Sequence, residues 1–270
     1  MNDYKVSVIM GIFNCEKTLG AAIECIINQT YKNWKLIMCD DCSSDDTYRV
    51  AQEYKKKYPL NIVLLKNQQN MGLNYTLNKC LGVVDTEFVA RMDGDDLCSV
   101  DRFEKEIRFL ENNPNIDFVS CFMSFFDEKG EWGKISHPQY PTKKDFLKES
   151  PFCHAGAMVR TSAYRRVDGY SESPRLLRVE DTHLWYKMYK AGMVGSNIPE
   201  YLYQMRDDRE ANKRRLFKYR VNEAYVKYLI VNGFRLSPIN YIYVLKPIVI
   251  GLLPDKVYFL LHKKSLGGRR

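Results

Sequence analysis

From Val6 to Phe126 the chain alternates strand-length apolar runs with helix-length amphipathic ones, and few folds accept that pattern. Val6–Phe13, Trp34–Cys39, Asn61–Leu65, Glu87–Met92 and Asp117–Phe126 read as strands. Between them lie helices. Glu16–Gln29 carries Leu19, Ala22, Ile23, Ile26 and Ile27 on one face, and Asp45–Tyr58 is entered through Ser43-Ser44-Asp45 and closed by Pro59. Leu73–Leu81 follows Gly72, and Asp101–Glu111 ends shortly before Pro114. Such alternation predicts an α/β fold with a mainly parallel, doubly wound sheet flanked by helices and joined by right-handed crossovers. After Gly130 the pattern weakens; Ala155–Arg160 and Ser196–Tyr203 read as strands and Thr182–Lys190 as a helix.

Ligands of open α/β sheets bind at the carboxyl ends of the strands, and two strands here end in carboxylates. Phe88-Val89-Ala90-Arg91-Met92 runs into Asp93-Gly94-Asp95-Asp96, and Lys35-Leu36-Ile37-Met38-Cys39 runs into Asp40-Asp41. Three carboxylates on one turn repel each other unless a cation or hydrogen-bond donors share the site. A hard divalent ion, Mg²⁺ or Mn²⁺, binds one or two carboxylates together with substrate phosphates. A solvated acidic turn is the plainer reading of either cluster alone; two of them on one sheet edge favour a ligand crevice.

The remaining sequence narrows the class. An apolar share of 45% beside 27% charged residues belongs to a globular chain of 270 residues, with ample core for one large domain or a domain and an appendage. No leader peptide is expected, since Met1–Lys5 is polar and Val6–Phe13 is short and lacks a small-residue cleavage site. Eight cysteines without regular spacing, Cys25, Cys39 and Cys121 among them inside apolar runs, indicate reduced thiols and a cytoplasmic setting. Cys39 and Cys42 form a C-x-x-C without the second pair that a zinc site needs. Neither a G-x-G-x-x-G nor a P-loop is present. Residues 205–270 hold 15 Lys and Arg against 5 Asp and Glu, a net +10, which leaves residues 1–204 at −2. The basic character therefore belongs to the tail, and the slightly acidic body argues against a nucleic-acid partner.

Five motifs occur in order: Val6-Ser7-Val8-Ile9-Met10-Gly11-Ile12-Phe13-Asn14, Asp40-Asp41-Cys42-Ser43-Ser44-Asp45, Asn70-Met71-Gly72, Asp93-Gly94-Asp95-Asp96 and Glu180-Asp181. Together they resemble the family 2 inverting glycosyltransferases of the GT-A fold, of the bacterial polysaccharide-biosynthesis type, over roughly residues 5–206. The resemblance implies that Asp41 hydrogen-bonds the nucleotide base with Phe13 beside it, that Asp93 lies near the ribose, that Asp95 binds the metal bridging the donor diphosphate, and that Asp181 is the catalytic base. The chemistry suits these assignments. A Lewis-acid cation stabilises charge developing on the diphosphate, and the acceptor hydroxyl needs a base on the opposite face of the sugar. N-terminal helix capping is the plainer role for Glu180-Asp181. Gly11, Phe13, Cys42 and Leu77 depart from residues common in the family, and no Q-x-x-R-W is present. In that region Arg206 offers a guanidinium for the diphosphate or simply begins a basic surface. His154 reads as a structural histidine and is left out of the metal set.

The expected organisation is a GT-A domain over 1–206 and a basic amphipathic helical tail over 207–270, with a basic helix beginning at Asn212–Arg220. The apolar run Tyr241–Pro254 is broken by Lys246 and Pro247 and is too short to span a bilayer. With Lys256, Lys263, Lys264, Arg269 and Arg270 it suits an anionic membrane surface, or else it packs on the body or on a second subunit of a homo-oligomer. The implied activity is metal-dependent transfer of a hexosyl or N-acetylhexosaminyl group from a nucleoside-diphosphate sugar, UDP by default. The acceptor is a hydroxyl of a lipid-linked or polymeric cell-surface glycan, at the cytoplasmic face of the membrane. A nucleotidyltransferase acting on sugar phosphates and a non-catalytic membrane-surface protein are the alternatives; the first lacks its basic phosphate loop.

Overall fold

The computed structural model describes residues 4–207 and 216–252. Its strands are β1 (Val6–Ile12), β2 (Trp34–Asp40), β3 (Ile62–Lys66), β4 (Phe88–Arg91), β5 (Leu97–Cys98), β6 (Phe118–Asp127), β7 (Gly130–Ile135), β8 (Met158–Arg160) and β9 (Gly195–Arg206). Its helices are α1 (Leu19–Ile27), α2 (Thr47–Lys57), α3 (Leu73–Leu81), α4 (Arg102–Asn112), α5 (Thr161–Arg166), α6 (Glu180–Lys190), α7 (Phe217–Gly233) and α8 (Tyr241–Leu252). One sheet runs β3-β2-β1-β4-β8-β6-β9-β5, with β7 beside β6. Its first half, β3 to β4, is parallel, as alternation with helices requires. Beyond β4 the sheet is mixed: β8 is antiparallel to both β4 and β6, while β6 and β9 run parallel.

Alternating side chains build two cores, one on each face. Val6, Val8, Met10 and Ile12 of β1 join Leu36, Met38, Phe88 and Ala90 under α1, α2 and α4. Ile9, Ile37, Cys39 and Val89 point the other way, toward α3, α5 and α6. The sheet is thus doubly wound. Beneath the end of β4, the fully buried Arg102 donates to Glu106 at 3.0 Å and to the Arg91 carbonyl at 3.0 Å, clamping α4 to the strand.

The expected basic helix begins at Phe217 as α7; the stretch 208–215 and residues 253–270 lie outside the described residues. Helix α7 packs on the body. Val226, Ile230 and Val231 enter the second core, Phe234 meets Tyr186 at 5.2 Å and Phe146 at 5.7 Å, and Asn222 donates to the carbonyls of Pro174 and Leu177. Helix α8 lies against α7. No helix among the described residues is long and apolar enough to cross a membrane.

Candidate active site

The parallel strands deliver Phe13, Asp41 and Asp93 to one edge of the sheet. Pairing continues just past the strand ends: the Asp41 N–H donates to the Ile12 carbonyl at 2.9 Å and the Met92 N–H to the Ile9 carbonyl at 3.2 Å. The Phe13 ring is exposed there. Asp41 is buried and already holds three donors at 2.8 Å: Asn67 Nδ2 and the Met71 N–H on Oδ1, and the Gly72 N–H on Oδ2. Gly72 adopts φ 86°, the left-handed region that favours glycine, and so turns its N–H back onto Asp41 as α3 begins. A carboxylate offers about four acceptor positions, so roughly one remains on Asp41 for a ligand. Cys42, next in the chain, stands at φ 63°, which explains why glycine or asparagine suits that position better.

On the acidic turn the three carboxylates have different partners. Asp93 is paired with the buried Arg91 at 2.8 Å. Asp96 is buried: Oδ2 accepts from Tyr203 Oη at 2.8 Å and Oδ1 from the Arg206 N–H at 2.7 Å, while burial, then the Asp93 and Asp95 charges, push its pKa up. Asp95 is exposed to solvent. Loss of hydration, with the Asp93 charge second, raises its pKa, and Arg206 and Arg91 act in the opposite direction. Arg206 Nε donates to the Asp95 carbonyl at 3.3 Å, and its guanidinium lies 4.7 Å from the Phe126 ring centroid. Gly94 brings the turn close to β1: a Cβ there would sit 3.0 Å from Cys15 Sγ and 3.3 Å from Ile12 Cγ2.

This donor set bears on a metal. Among the described residues no group of three or more His, Cys, Asp or Glu is arranged to hold an ion alone. With Asp93 paired to Arg91 and Asp96 held by Tyr203 and Arg206, the Asp95 carboxylate is the one turned to solvent. One carboxylate shared with phosphate oxygens is a set that Mg²⁺ and Mn²⁺ accept.

Glu180 and Asp181 occupy the first turn of α6, whose N-cap is Val179, with no side-chain capping bond. Asp181 therefore does not cap the helix; Thr182 Oγ1 donates to its Oδ1 at 3.3 Å. Burial, then the Asp181 charge, raises the Glu180 pKa, and Arg91 opposes that rise, so the start of α6 feels the guanidinium that pairs with Asp93. The fully buried Trp185 stacks on Phe118 at 4.5 Å and fixes the helix.

His154 is buried, with its Nε2 2.9 Å from Tyr170 Oη. The Cys39 thiol donates to Asn67 Oδ1 at 3.6 Å, and Cys39 and Cys42 are both free. Sequence reasoning missed Arg91, Tyr203 and the Arg102–Glu106 pair. The last was readable, because an Arg and a Glu four apart among Phe103, Ile107 and Leu110 on one helix mark a buried ion pair.

Residues 7–168 match the family model for glycosyl transferase family 2. The putative glycosyltransferase EpsE of Bacillus subtilis is 42% identical over 97% of this chain and 94% of its own length. The Escherichia coli enzyme WfgD, named as a UDP-Glc:α-D-GlcNAc-diphosphoundecaprenol β-1,3-glucosyltransferase, is 30% identical over 73% of this chain and 74% of its own. In fold the chain resembles S. aureus TarS 1–349 in complex with UDP-GlcNAc, with TM-score 0.69 and 18% identity over 92% of this chain and 71% of that one. It also resembles the mannosyltransferase PcManGT of Pyrobaculum calidifontis in complex with GDP-Man and Mn²⁺, with TM-score 0.62 and 17% identity over 98% and 81%. The family match over more than half of the chain and the near-full-length similarity to EpsE establish that this protein belongs to glycosyl transferase family 2 and is a glycosyltransferase.

Proposed function

We propose that the enzyme transfers a hexosyl or N-acetylhexosaminyl group, with inversion, from a UDP-sugar to a hydroxyl of a lipid-linked or polymeric cell-surface glycan. The observation that carries this reading is the division of labour on the acidic turn. Asp93 and Asp96 are held by Arg91, Tyr203 and Arg206, and Asp95 faces the crevice beside the Arg206 guanidinium. The relatives support the substrate classes. TarS is described with UDP and with UDP-GlcNAc, and WfgD is named for a UDP-glucose donor and a diphosphoundecaprenol-linked acceptor.

In this reading Phe13 lies against the base, Asp41 uses its remaining acceptor position on the base, and Asp93 reaches the ribose. Arg206 pairs with the diphosphate through its fork of N–H donors. Asp95 holds a Mn²⁺ or Mg²⁺ ion, which supplies Lewis-acid neutralisation of the departing diphosphate. Asp181 takes the proton of the acceptor hydroxyl as its oxygen bonds to the anomeric carbon; the bond from that carbon to the diphosphate oxygen breaks on the opposite face. Helix α6 keeps Asp181 on a rigid element.

The catalytic unit spans 1–206 and the tail 207–270. In α8, Ile242, Leu245, Val249 and Leu252 form an exposed stripe next to Lys246, with no acidic residue in the helix. That composition supports peripheral attachment to an anionic inner membrane face, where a lipid-linked acceptor resides. The decisive experiment incubates the protein with a panel of UDP- and GDP-sugars and a diphosphoundecaprenol-linked sugar, with and without EDTA. EDTA-sensitive transfer from a UDP-sugar is expected; nucleotidyl exchange, or transfer indifferent to EDTA, overturns this reading.

A further inference from the structure

Two thiols meet next to the acidic turn. Cys25 on α1 and Cys98 on β5 have sulfurs 3.3 Å apart. Around them the Cys98 N–H donates to Cys25 Sγ at 3.0 Å, and Gln29 Nε2 lies 3.4 Å from Cys98 Sγ and donates to the Ser99 carbonyl at 2.7 Å. Cys98 is buried, whereas Cys25 is half-buried. We propose that Cys25 and Cys98 are an oxidisable pair, closed by a peroxide to an intramolecular disulfide that displaces the Asp93–Asp96 turn.

The chemistry balances within the pair and the peroxide. Cys25, as thiolate, attacks one peroxide oxygen; the O–O bond breaks, and sulfenic acid and water form. The Cys98 sulfur then attacks the Cys25 sulfur and water leaves. Two thiols and one hydrogen peroxide give one disulfide and two waters. Cys25 is the better first nucleophile, being the more exposed; the contact with the Cys98 thiol and the Cys98 N–H also lower its pKa to about 7, against the opposing effect of burial. Cys39, Cys80, Cys121 and Cys153 are all buried, which shields them from solvent peroxide.

Closing the bond brings the sulfurs from 3.3 Å to about 2.05 Å. The two-residue strand β5 has little to resist that pull, because it pairs only with β9, Leu97 opposite Gln204 and Cys98 opposite Tyr203. Tyr203 and Arg206 of β9 are the groups that hold Asp96, and Asp96 adjoins both Leu97 and Asp95. Movement of Cys98 toward α1 is therefore transmitted to Asp95 and Asp96. The consequence for donor binding rests on the function proposed above; formation of the bond and movement of the turn do not.

The test treats the full-length protein with a slight excess of hydrogen peroxide, quenches it, and compares it with dithiothreitol-treated protein. Intact mass should fall by two hydrogens, a Cys25–Cys98 cross-linked peptide should appear in a non-reducing digest, and Cys25→Ser and Cys98→Ser should each abolish it. Hydrogen exchange over residues 93–98 and 203–206 should change on oxidation and revert with dithiothreitol, and Cys25→Ser should show no such change. UDP affinity in the presence of Mn²⁺ should fall on the order of tenfold, as a sub-ångström to ångström displacement of a binding group implies. Sulfinic acid or other peptides in place of the cross-link overturn the pairing, and unchanged exchange in the cross-linked protein overturns the coupling. A reduced protein that binds no UDP refutes the donor site alone, since mass and exchange still decide this inference.

Discussion

Asp96 Oδ1 accepts the backbone N–H of Arg206 at 2.7 Å across 110 residues of sequence, and this bond joins the acidic turn to the far end of β9. Tyr203, three residues earlier on the same strand, both donates to Asp96 and accepts the Asp93 N–H at 3.2 Å. The turn is thus held from β9 at two of its carboxylate-bearing residues, which leaves Asp95 between them facing the crevice.

Tyr203→Phe tests that support. It removes a hydroxyl that satisfies a buried carboxylate and an amide, a loss of about 1–3 kcal/mol. Chemical denaturation should show that loss, and UDP affinity in Mn²⁺ should weaken with it. Wild-type values in both measurements would mean that β9 does not hold the turn.

Asp95→Asn should abolish the Mn²⁺-dependent part of UDP binding while keeping the fold, because it removes one charge from a mutually repelling cluster. Calorimetric titration of UDP with and without Mn²⁺ reads this directly. An unchanged metal increment would remove Asp95 from the metal site.

Asp181→Asn keeps side-chain size but accepts no proton at neutral pH. Donor affinity should persist and transfer should fall by a factor on the order of 10² to 10⁴. A transfer rate within a few-fold of the unsubstituted enzyme would leave Asp181 as a favourable charge at the start of α6 and no more.

Much of this arrangement is written locally, and what is not depends on distant partners. The strands β1, β2, β3, β4 and β6 lie within about a residue or two of the apolar runs that announce them; β1, β2, β4 and the first four residues of β6 are buried on both faces. Strand β8 takes up only the last three residues of the run Ala155–Arg160, and β5, with two residues, is too short for any periodicity to show. Strand β9 contains the expected Ser196–Tyr203 and runs on to Arg206; it exposes Pro199, Glu200 and Tyr201 where its register against β6 shifts, which weakens the pattern. Helix α7 buries Asn222 and Lys227 along with its apolar residues, so its packing on the body does not show as an apolar stripe. At the site, Asp93-Gly94-Asp95-Asp96 is legible as a cluster. Which carboxylate stays open is not, since the partners of Asp96 lie 107 and 110 residues away. The register of Asp41 just past β2 was readable, but its bonds to Met71 and Gly72 depend on how the following loop folds back.

The stability contributed by neutral His154 and His183 should be lost as the solution is acidified below the usual histidine pKa of about 6.5, while Asp96, whose pKa is raised in the fold, contributes with the opposite sign. Burial, assisted by the Arg91 charge, holds His154 well below that value, and burial with Lys187 brings His183 down to about 4. At these two histidines the unfolded chain then binds protons that the folded one refuses, so their contribution is complete above about pH 6.5 and is lost as pH falls toward the folded values. For His154 the slope approaches about 1.4 kcal/mol per pH unit. Urea denaturation at several pH values should show that His154→Gln, which keeps a partner for Tyr170 and does not titrate, loses less stability on acidification than the unsubstituted protein. Identical slopes would mean that His154 is already neutral in the unfolded chain or charged in the folded one.

The final expectation concerns α8. Ile242, Leu245, Val249 and Leu252 are each more than half exposed and recur at three- and four-residue spacing, while Pro247 on the opposite side is buried. Burying four such side chains in an acyl boundary gains several kcal/mol at about 1.5–3 kcal/mol each when burial is complete. Lys246 and the basic residues that follow in sequence add attraction to anionic headgroups, which salt weakens. The protein should therefore co-sediment with anionic vesicles at low salt and less so at high salt. The double substitution Ile242→Ser with Leu245→Ser should release it while leaving its circular dichroism and nucleotide binding unchanged, since neither residue touches the acidic turn. Failure of the unsubstituted protein to co-sediment, or equal binding by the double variant, would assign the stripe to protein contacts and detach the enzyme from the membrane surface.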